Sequence, residues 1–493
     1  MKYFAIGIFL SISLFILSAC SKKFLERNPL DSVGTTNYYK TAKDALAAIN
    51  AAYQPLQRPK LYNMRMWTTD IMAGNSVVGA GGGTDGIETV QEANFTTAAD
   101  NAGVLDLFRG PAPGILACNI VLEKVPGIDM DEQLRNRILG EAHFLRGLYY
   151  FILVRFFGDV PLVLKPQVAG EDLKPARTPK AAVYQQIQAD LKQAITLLPP
   201  RESYGPEDIG RASKGAATGM LAKVDLTLGD YKDCIDLCQQ VTTLGYKLNE
   251  NYADNFSATH KNTIESLFEV QYSGATTYGF FDDLNQASWT STYTGPRNAD
   301  FVGGSYGWNQ PTQEFVDAYE PGDLRKDVTV LYEGCPDFDG KKYKASYSST
   351  GYNLRKFLVP KSISPDYNTS PEDFIVLRYA DVLLMEAESL NALAQMAAAV
   401  KPLNEVRARA GLGPISAATS QADLKKIILH ERRMELAFEG QRWFDLIRVD
   451  KGQYGLDFLH AIGRVNAKTK HLLLPIPQQE IDINHNLTQN EGY

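Results

Sequence analysis

Long segments bounded by their own start and stop signals read as helices through most of this chain, and that density of helix limits the fold more than any other feature. They run at about 41–57, 133–157, 179–198, 213–228, 231–243, 374–395, 398–410 and 421–448. Pro179 is suited to a first helical position with Thr178 as its cap, and Pro199-Pro200 ends that segment. Gly158-Asp159 closes the second, since glycine can stop a helix in a left-handed conformation. In 213–243 a helix rich in small residues (Ala216, Gly219, Ala222) leads through Gly229-Asp230 into a second one. This looks like a degenerate tetratricopeptide hairpin, a repeat of about 34 residues. Cys234 and Cys238 fall on its packing positions, one turn apart, where free cysteine acts as a small hydrophobe. The fold class expected is mostly α, with tetratricopeptide-type helix pairs carrying long irregular loops and minor β structure.

The first residues carry a different instruction. One positive charge at Lys2, an apolar run from Phe4 to Leu17 and small Ser18-Ala19 make a secretory signal, expected to occupy residues 1–19. Cys20 follows at once, in the arrangement of a bacterial lipoprotein box, so it is the expected lipidation site and membrane anchor. Beyond it no stretch reads as both long and uncharged enough to span a bilayer. The formal charge of −7 comes without a basic cluster and excludes nucleic acid as an expected partner. Scattered histidines, with no His-x-x-x-His or Cys-x-x-Cys, give no metal site, and no cofactor is expected.

The loops at 70–100, 271–310 and 333–371 are long enough to suggest binding function. The first is rich in glycine, serine and threonine. The second carries Tyr272, Tyr278, Phe280, Phe281, Trp289, Tyr293, Phe301, Tyr306 and Trp308. Two motifs there tempt a catalytic reading. Gly81 to Gly86 matches G-x-G-x-x-G but lacks an evident apolar helix after it, as a dinucleotide turn requires. Gly303-Gly304-Ser305-Tyr306-Gly307 matches G-x-S-x-G, yet Trp308 to Pro311 reads as continued loop rather than the helix of a nucleophile elbow. Loop carboxylates (Asp282, Asp283, Asp337, Asp339) read as solvated. No catalytic residue is assigned.

Several segments, taken in order, resemble the SusD/RagB family of Bacteroidetes outer-membrane lipoproteins. They are Phe24-Leu25-Glu26 with Pro29; 140–146 running on to 156–162; 403–411; the charged run 431–448; Leu474-Pro475-Ile476-Pro477; and 484–489. The charged run reads as a helix supported by i,i+3 and i,i+4 pairs, not as a catalytic centre. The resemblance implies a SusD-like fold, with an N-terminal region at 20–250 and a C-terminal region with aromatic binding loops at 251–493. It also implies a non-enzymatic, surface-facing outer-membrane lipoprotein that captures glycans, or in some members peptides. Such proteins act as a lid on a SusC-like TonB-dependent transporter. A surface hydrolase using Ser305 or loop carboxylates is the competing reading. Aromatic rings stack on sugar faces while amides and carboxylates take hydroxyls. The expected ligand-binding residues are therefore Tyr278, Trp289, Tyr293 and Trp308, with Asp70 and Asn75 as polar partners.

Overall fold

The computed structural model describes residues 39–493 except 80–84, 168–169, 171–172, 275–277, 280–281 and 283. The signal segment, Cys20, Phe280, Phe281, Asp283 and most of the first glycine motif therefore lie outside the described residues.

The scaffold is built from helices α1 (Ala42–Tyr53), α2 (Ala112–Lys124), α3 (Glu132–Phe157), α4 (Lys180–Leu197), α5 (Lys214–Leu228), α6 (Tyr231–Thr243), α7 (Tyr379–Ala392), α8 (Met396–Arg409), α9 (Gln421–Glu435) and α10 (Arg442–Arg448). Side chains cap several starts by accepting from backbone N–H groups, which otherwise lack partners in a first turn. Thr41 and Asp44 form a reciprocal box, Asp131 accepts from Leu134 N at 2.8 Å and Ser213 from Ala216 N at 3.2 Å. Pro179 is itself the capping residue of α4, and Thr178 instead pairs with Val160. Gly158 ends α3 with positive φ but ψ of −116°, outside the left-handed helical region.

Each helix packs on its chain neighbour in a continuous series from α1 through α7, which also holds α8 and α9. The largest core draws on residues from Ala45 to Leu487, so both halves of the chain bury into it. In α5 and α6, Ala222, Cys234 and Cys238 are fully buried, and the two sulfurs lie 4.0 Å apart as free thiols. The segment Ala102–Gly127 is apolar enough by length to cross a bilayer, contrary to the expectation from sequence. It is folded as Ala102–Arg109 and α2, parted at Gly110-Pro111, and half of it is buried in the protein.

Among the described residues the strands form three antiparallel pairs: β1 (Ser76–Gly79) with β3 (Trp308–Pro311), β2 (Ser266–Val270) with β6 (Phe374–Arg378), and β4 (Val330–Leu331) with β5 (Asn353–Leu354). Two expected helices change here. The residues 374–378 are strand β6, because a short apolar run buried on both faces suits a strand as well as a helix. The segment 421–448 is broken between α9 and α10 by a turn in which Phe438 (φ 63°) and Gly440 (φ 68°) are left-handed. A Cβ on Gly440 would meet Met66 O at 2.9 Å, so this turn needs glycine.

Most charges of 431–448 pair across the fold, while Arg448 also pairs with Asp445 along α10 at 2.6 Å. Glu431 binds Arg325 (2.5 Å) and Arg407 (2.9 Å), Arg432 binds Asp381 (2.9 Å) and Asp445 (3.0 Å), and Arg433 binds Glu314 (2.6 Å). Glu435 binds Arg378, Arg325 and Arg409, while Glu439 binds Lys356 and Arg378. Burial would raise the Glu435 carboxyl, but Arg409, Arg378 and Arg325 together hold it far below the carboxylate range. This lattice ties the C-terminal helices to β6, α7, α8, the segment after β3 and Lys356 of the 333–371 loop.

Candidate functional site

A ladder of rings runs from the core toward solvent. Trp67, fully buried, meets Trp308 edge-on at 6.4 Å between ring centroids. Tyr293 stands 5.6 Å from Trp308, stacks on Trp289 at 5.6 Å with planes 18° apart, and reaches Tyr306 at 5.4 Å. Burial falls along the series. Trp289 and Trp308 are about 5% and 6% exposed, Tyr293 is half-buried and Tyr306 is 40% exposed.

Local backbone geometry sets each rung. Pairing of β1 with β3 places Trp308 opposite Gly79, so the expected loop at 308–311 is a strand. Asn309 is left-handed (φ 56°), and its side-chain oxygen accepts from Ser76 Oγ at 2.5 Å. Below the Trp308 ring lies Gly86 (φ 65°), where a Cβ would come within 2.1 Å of the indole. Gly86→Ala is expected to push the ring aside and cost about 2 kcal/mol, read as an earlier urea midpoint with altered tryptophan emission; an unchanged midpoint would remove Gly86 from this account.

Two more tyrosines share this region of the surface. Tyr367 is 45% exposed, and its carbonyl accepts from Thr292 Oγ1 at 2.8 Å. Tyr278 is 43% exposed, and its carbonyl accepts from Asn368 Nδ2 at 3.2 Å. Asn285 Nδ2 donates to Asn368 Oδ1 at 2.6 Å, which ties the two loops together. Beside them Arg297 Nε donates to Tyr306 O at 2.7 Å and pairs with Asp85 at 3.2 Å, both side chains being exposed. Arg65 lies under the face, bound to Glu88 (3.3 Å) and Asp106 (3.0 Å). Burial lifts the neighbouring Glu92 carboxyl to about 7 against the pull of Arg65.

Of the residues expected from sequence, Tyr278 and Tyr293 reach this face, while Trp289 and Trp308 lie beneath it as supports. Asp70 and Asn75 are fully buried in the frame behind. The Asp70 carboxylate accepts from Asn75 Nδ2 (3.1 Å), Phe438 N (3.2 Å) and Gly440 N (3.1 Å), and Asn75 Oδ1 accepts from Arg433 Nε at 2.9 Å. Burial raises the Asp70 carboxyl to about 6 despite those donors. Tyr306 belongs to the aromatic loop at 271–310 without being among its expected ligand-binding residues, and Tyr367 lies in the loop at 333–371. A tyrosine on a Pro-Asp-Tyr-Asn turn at 365–368 was the only signal for the second.

The two catalytic motifs also find their context. The described part of the 81–86 run sits between β1 and a short helix, Ile87–Ala93, so a strand and a helix do flank it. Its strand, however, pairs antiparallel with β3, unlike the parallel unit of a dinucleotide site. Ser305 leads directly into β3, and its Oγ is buried with no hydrogen-bond partner among the described residues.

Residues 240–493 match the family model described as SusD family, and 23–226 match one described as starch-binding associating with outer membrane. A SusD-like protein P2 from Formosa agariphila is 29% identical over 98% of both chains. The starch-binding protein SusD of Bacteroides thetaiotaomicron is 24% identical over 76% of each. A solved laminarin-binding SusD-like protein superposes with a TM-score of 0.81 at 30% identity, covering 92% of this chain and all of the other.

Proposed function

This chain belongs to the SusD family, and from that premise we propose that it binds glycans without cleaving them on the face formed by Tyr278, Tyr306 and Tyr367. The observation that carries this is the ladder: the exposed Tyr306 ring is backed by Tyr293, and Tyr293 by Trp289 and Trp308, so that the outermost ring has little freedom to lose on binding. Sugar C–H faces stack on such rings, and Asp85, Arg297 and Glu88 supply charged groups at the rim for hydroxyls. Laminarin, named for the solved relative, is the first ligand to try. Trp289 and Trp308 contribute by holding Tyr293 in place, and Asp70 and Asn75 by holding the strands behind.

The delivery step belongs to the same proposal. Lipid on Cys20 tethers the body at the outer-membrane surface, where a raised effective concentration beside a TonB-dependent transporter suits a lid that passes ligand on. Calorimetric titration against a panel of glycans and peptides tests the binding reading. Tyr306→Ala with Tyr367→Ala is expected to weaken the best glycan about 30-fold, at roughly 1 kcal/mol per stacked ring. Unchanged affinity removes the platform, and preference for peptides moves the chain to the peptide-binding reading. Recovery of a large β-barrel with the protein from native membranes tests the transporter partner, and protease access on intact cells tests its orientation.

A further inference from the structure

The two loops that carry the exposed tyrosines leave the scaffold at neighbouring points. Strand β2 runs out through Gln271 and Tyr272 toward Tyr278, and the chain returns from Tyr367 through Glu372 and Asp373 into β6. The segment 286–288 bridges the stems, Gln286 O accepting from Ser273 N (2.7 Å) and Ser288 N donating to Ser370 O (2.9 Å).

Buried in this junction are the carboxyl groups of Glu269, Glu372 and Asp373, with Lys261 as the cation beside them. Lys261 Nζ donates to Asp373 Oδ1 at 2.7 Å and to Tyr272 O at 2.6 Å, and Tyr272 N donates to the same Asp373 oxygen at 2.7 Å. Asn262 N donates to Glu269 Oε2 at 3.2 Å. Neither Glu372 oxygen has a hydrogen-bond partner among the described residues, nor does the Tyr272 hydroxyl. The further titratable and charged groups that face this cluster are the buried Tyr272 and Tyr62 phenols, Arg211, Glu207 and Tyr53, which line the cavity beside Glu269, and Arg201, which donates to the Asn262 carbonyl. The cluster is not sealed. Lys261 and Asn262 line a cavity of about 620 Å³, and Glu269 and Gln271 line an adjoining one of about 330 Å³, so protons can exchange with solvent.

We propose that this buried carboxylate cluster makes retention of ligand on the tyrosine face depend on pH, the joined stems being tight in mild acid and looser in mild alkali. The inference rests on the glycan-binding reading for its consequence but not for its mechanism. Three carboxylates around one ammonium cannot all be ionised in a low-dielectric site. Burial, helped by the charge of Asp373, raises the Glu269 carboxyl to about 7 and raises Glu372; burial also raises Asp373, against the pull of Lys261, the Tyr272 N–H and a hydrogen bond with Glu269. The closed stem therefore keeps protons that an opened, solvated stem would release. Its stability is complete below the ordinary carboxylate range and declines as pH rises through the raised values. A transporter-coupled binder could use that slope to release cargo.

Hydrogen exchange of the full chain, corrected for intrinsic rates, is the direct test. Peptides covering 266–273 and 371–378 are expected to exchange several-fold faster at pH 8 than at pH 6, with the difference lost in Glu269→Gln and, as a second variant, Glu372→Gln. Affinity for the best glycan of the panel, laminarin being the probe in hand, is expected to fall about tenfold over the same interval in the unaltered protein and to stay flat in the variants. Stem exchange that ignores pH, or that responds equally in both variants, overturns the proposal. Stem exchange that responds as expected while no glycan binds upholds the device and rejects the glycan-binding reading.

Discussion

Arg378→Ala is expected to destabilise the protein by about 4 kcal/mol, the usual cost of stranding buried partners when one member of an ion cluster is removed. Arg378 is wholly buried, and its guanidinium donates to Glu265 (2.8 Å), to Glu435 (2.5 Å), to both Glu439 oxygens (2.8 Å each) and to the Glu435 carbonyl (2.7 Å). Alanine leaves the buried carboxylates of Glu265, Glu435 and Glu439 to Arg409, Lys356 and Arg325, and Arg325 is already shared with Asp323 and Glu431, so the cluster is left with excess negative charge. The signature is in pH as well as magnitude. In the unaltered protein Glu435 is held ionised, so its contribution is present at neutral pH and is lost on acidification. Without Arg378 the cluster gains by taking up protons, so the gap between the two proteins narrows as pH falls from 8 toward 5. Urea unfolding at both values measures this, and a gap that stays constant would sink the explanation.

Asp70→Ala carries the second largest expected effect, about 3 kcal/mol, for a different reason. The carboxylate satisfies the backbone N–H groups of Phe438 and Gly440 in the left-handed turn between α9 and α10, and orients Asn75. Truncation leaves those donors buried without partners, each costing about 1–3 kcal/mol. It also releases a turn that Phe438 adopts against its own steric preference. Asp70→Asn, which keeps one acceptor, is expected to lose about half as much. Affinity for glycan in the folded fraction should match that of the unaltered protein, whereas a specific loss of binding with full stability would restore Asp70 to the ligand.

The sequence displayed its scaffold because helix signals are local. Thr41 with Asp44, Asp131, Ser213 and Gly229 all sit within a turn of what they cap or stop. The breaks in that reading are long-range. Nothing near Leu436-Ala437-Phe438-Glu439-Gly440 announces that Asp70, 370 residues earlier, will hold it as a turn. Nor does 374–378 show that β2 waits to pair with it. The aromatic region was legible as a region, from composition, but the ordering of its rings was not. Which tyrosine faces water depends on the β1–β3 register and on how the 285–288 and 368–370 turns meet.

The ladder also fixes how this protein can be watched. Trp67, Trp289 and Trp308 are three of its four tryptophans, and the fourth, Trp443, packs on Phe95 elsewhere. Three of the four indoles therefore lie within two ring contacts of Tyr306. Occupancy of the face should be readable as a change in native fluorescence, with no label attached, and Trp443→Phe would leave a protein whose remaining indoles all lie in the ladder.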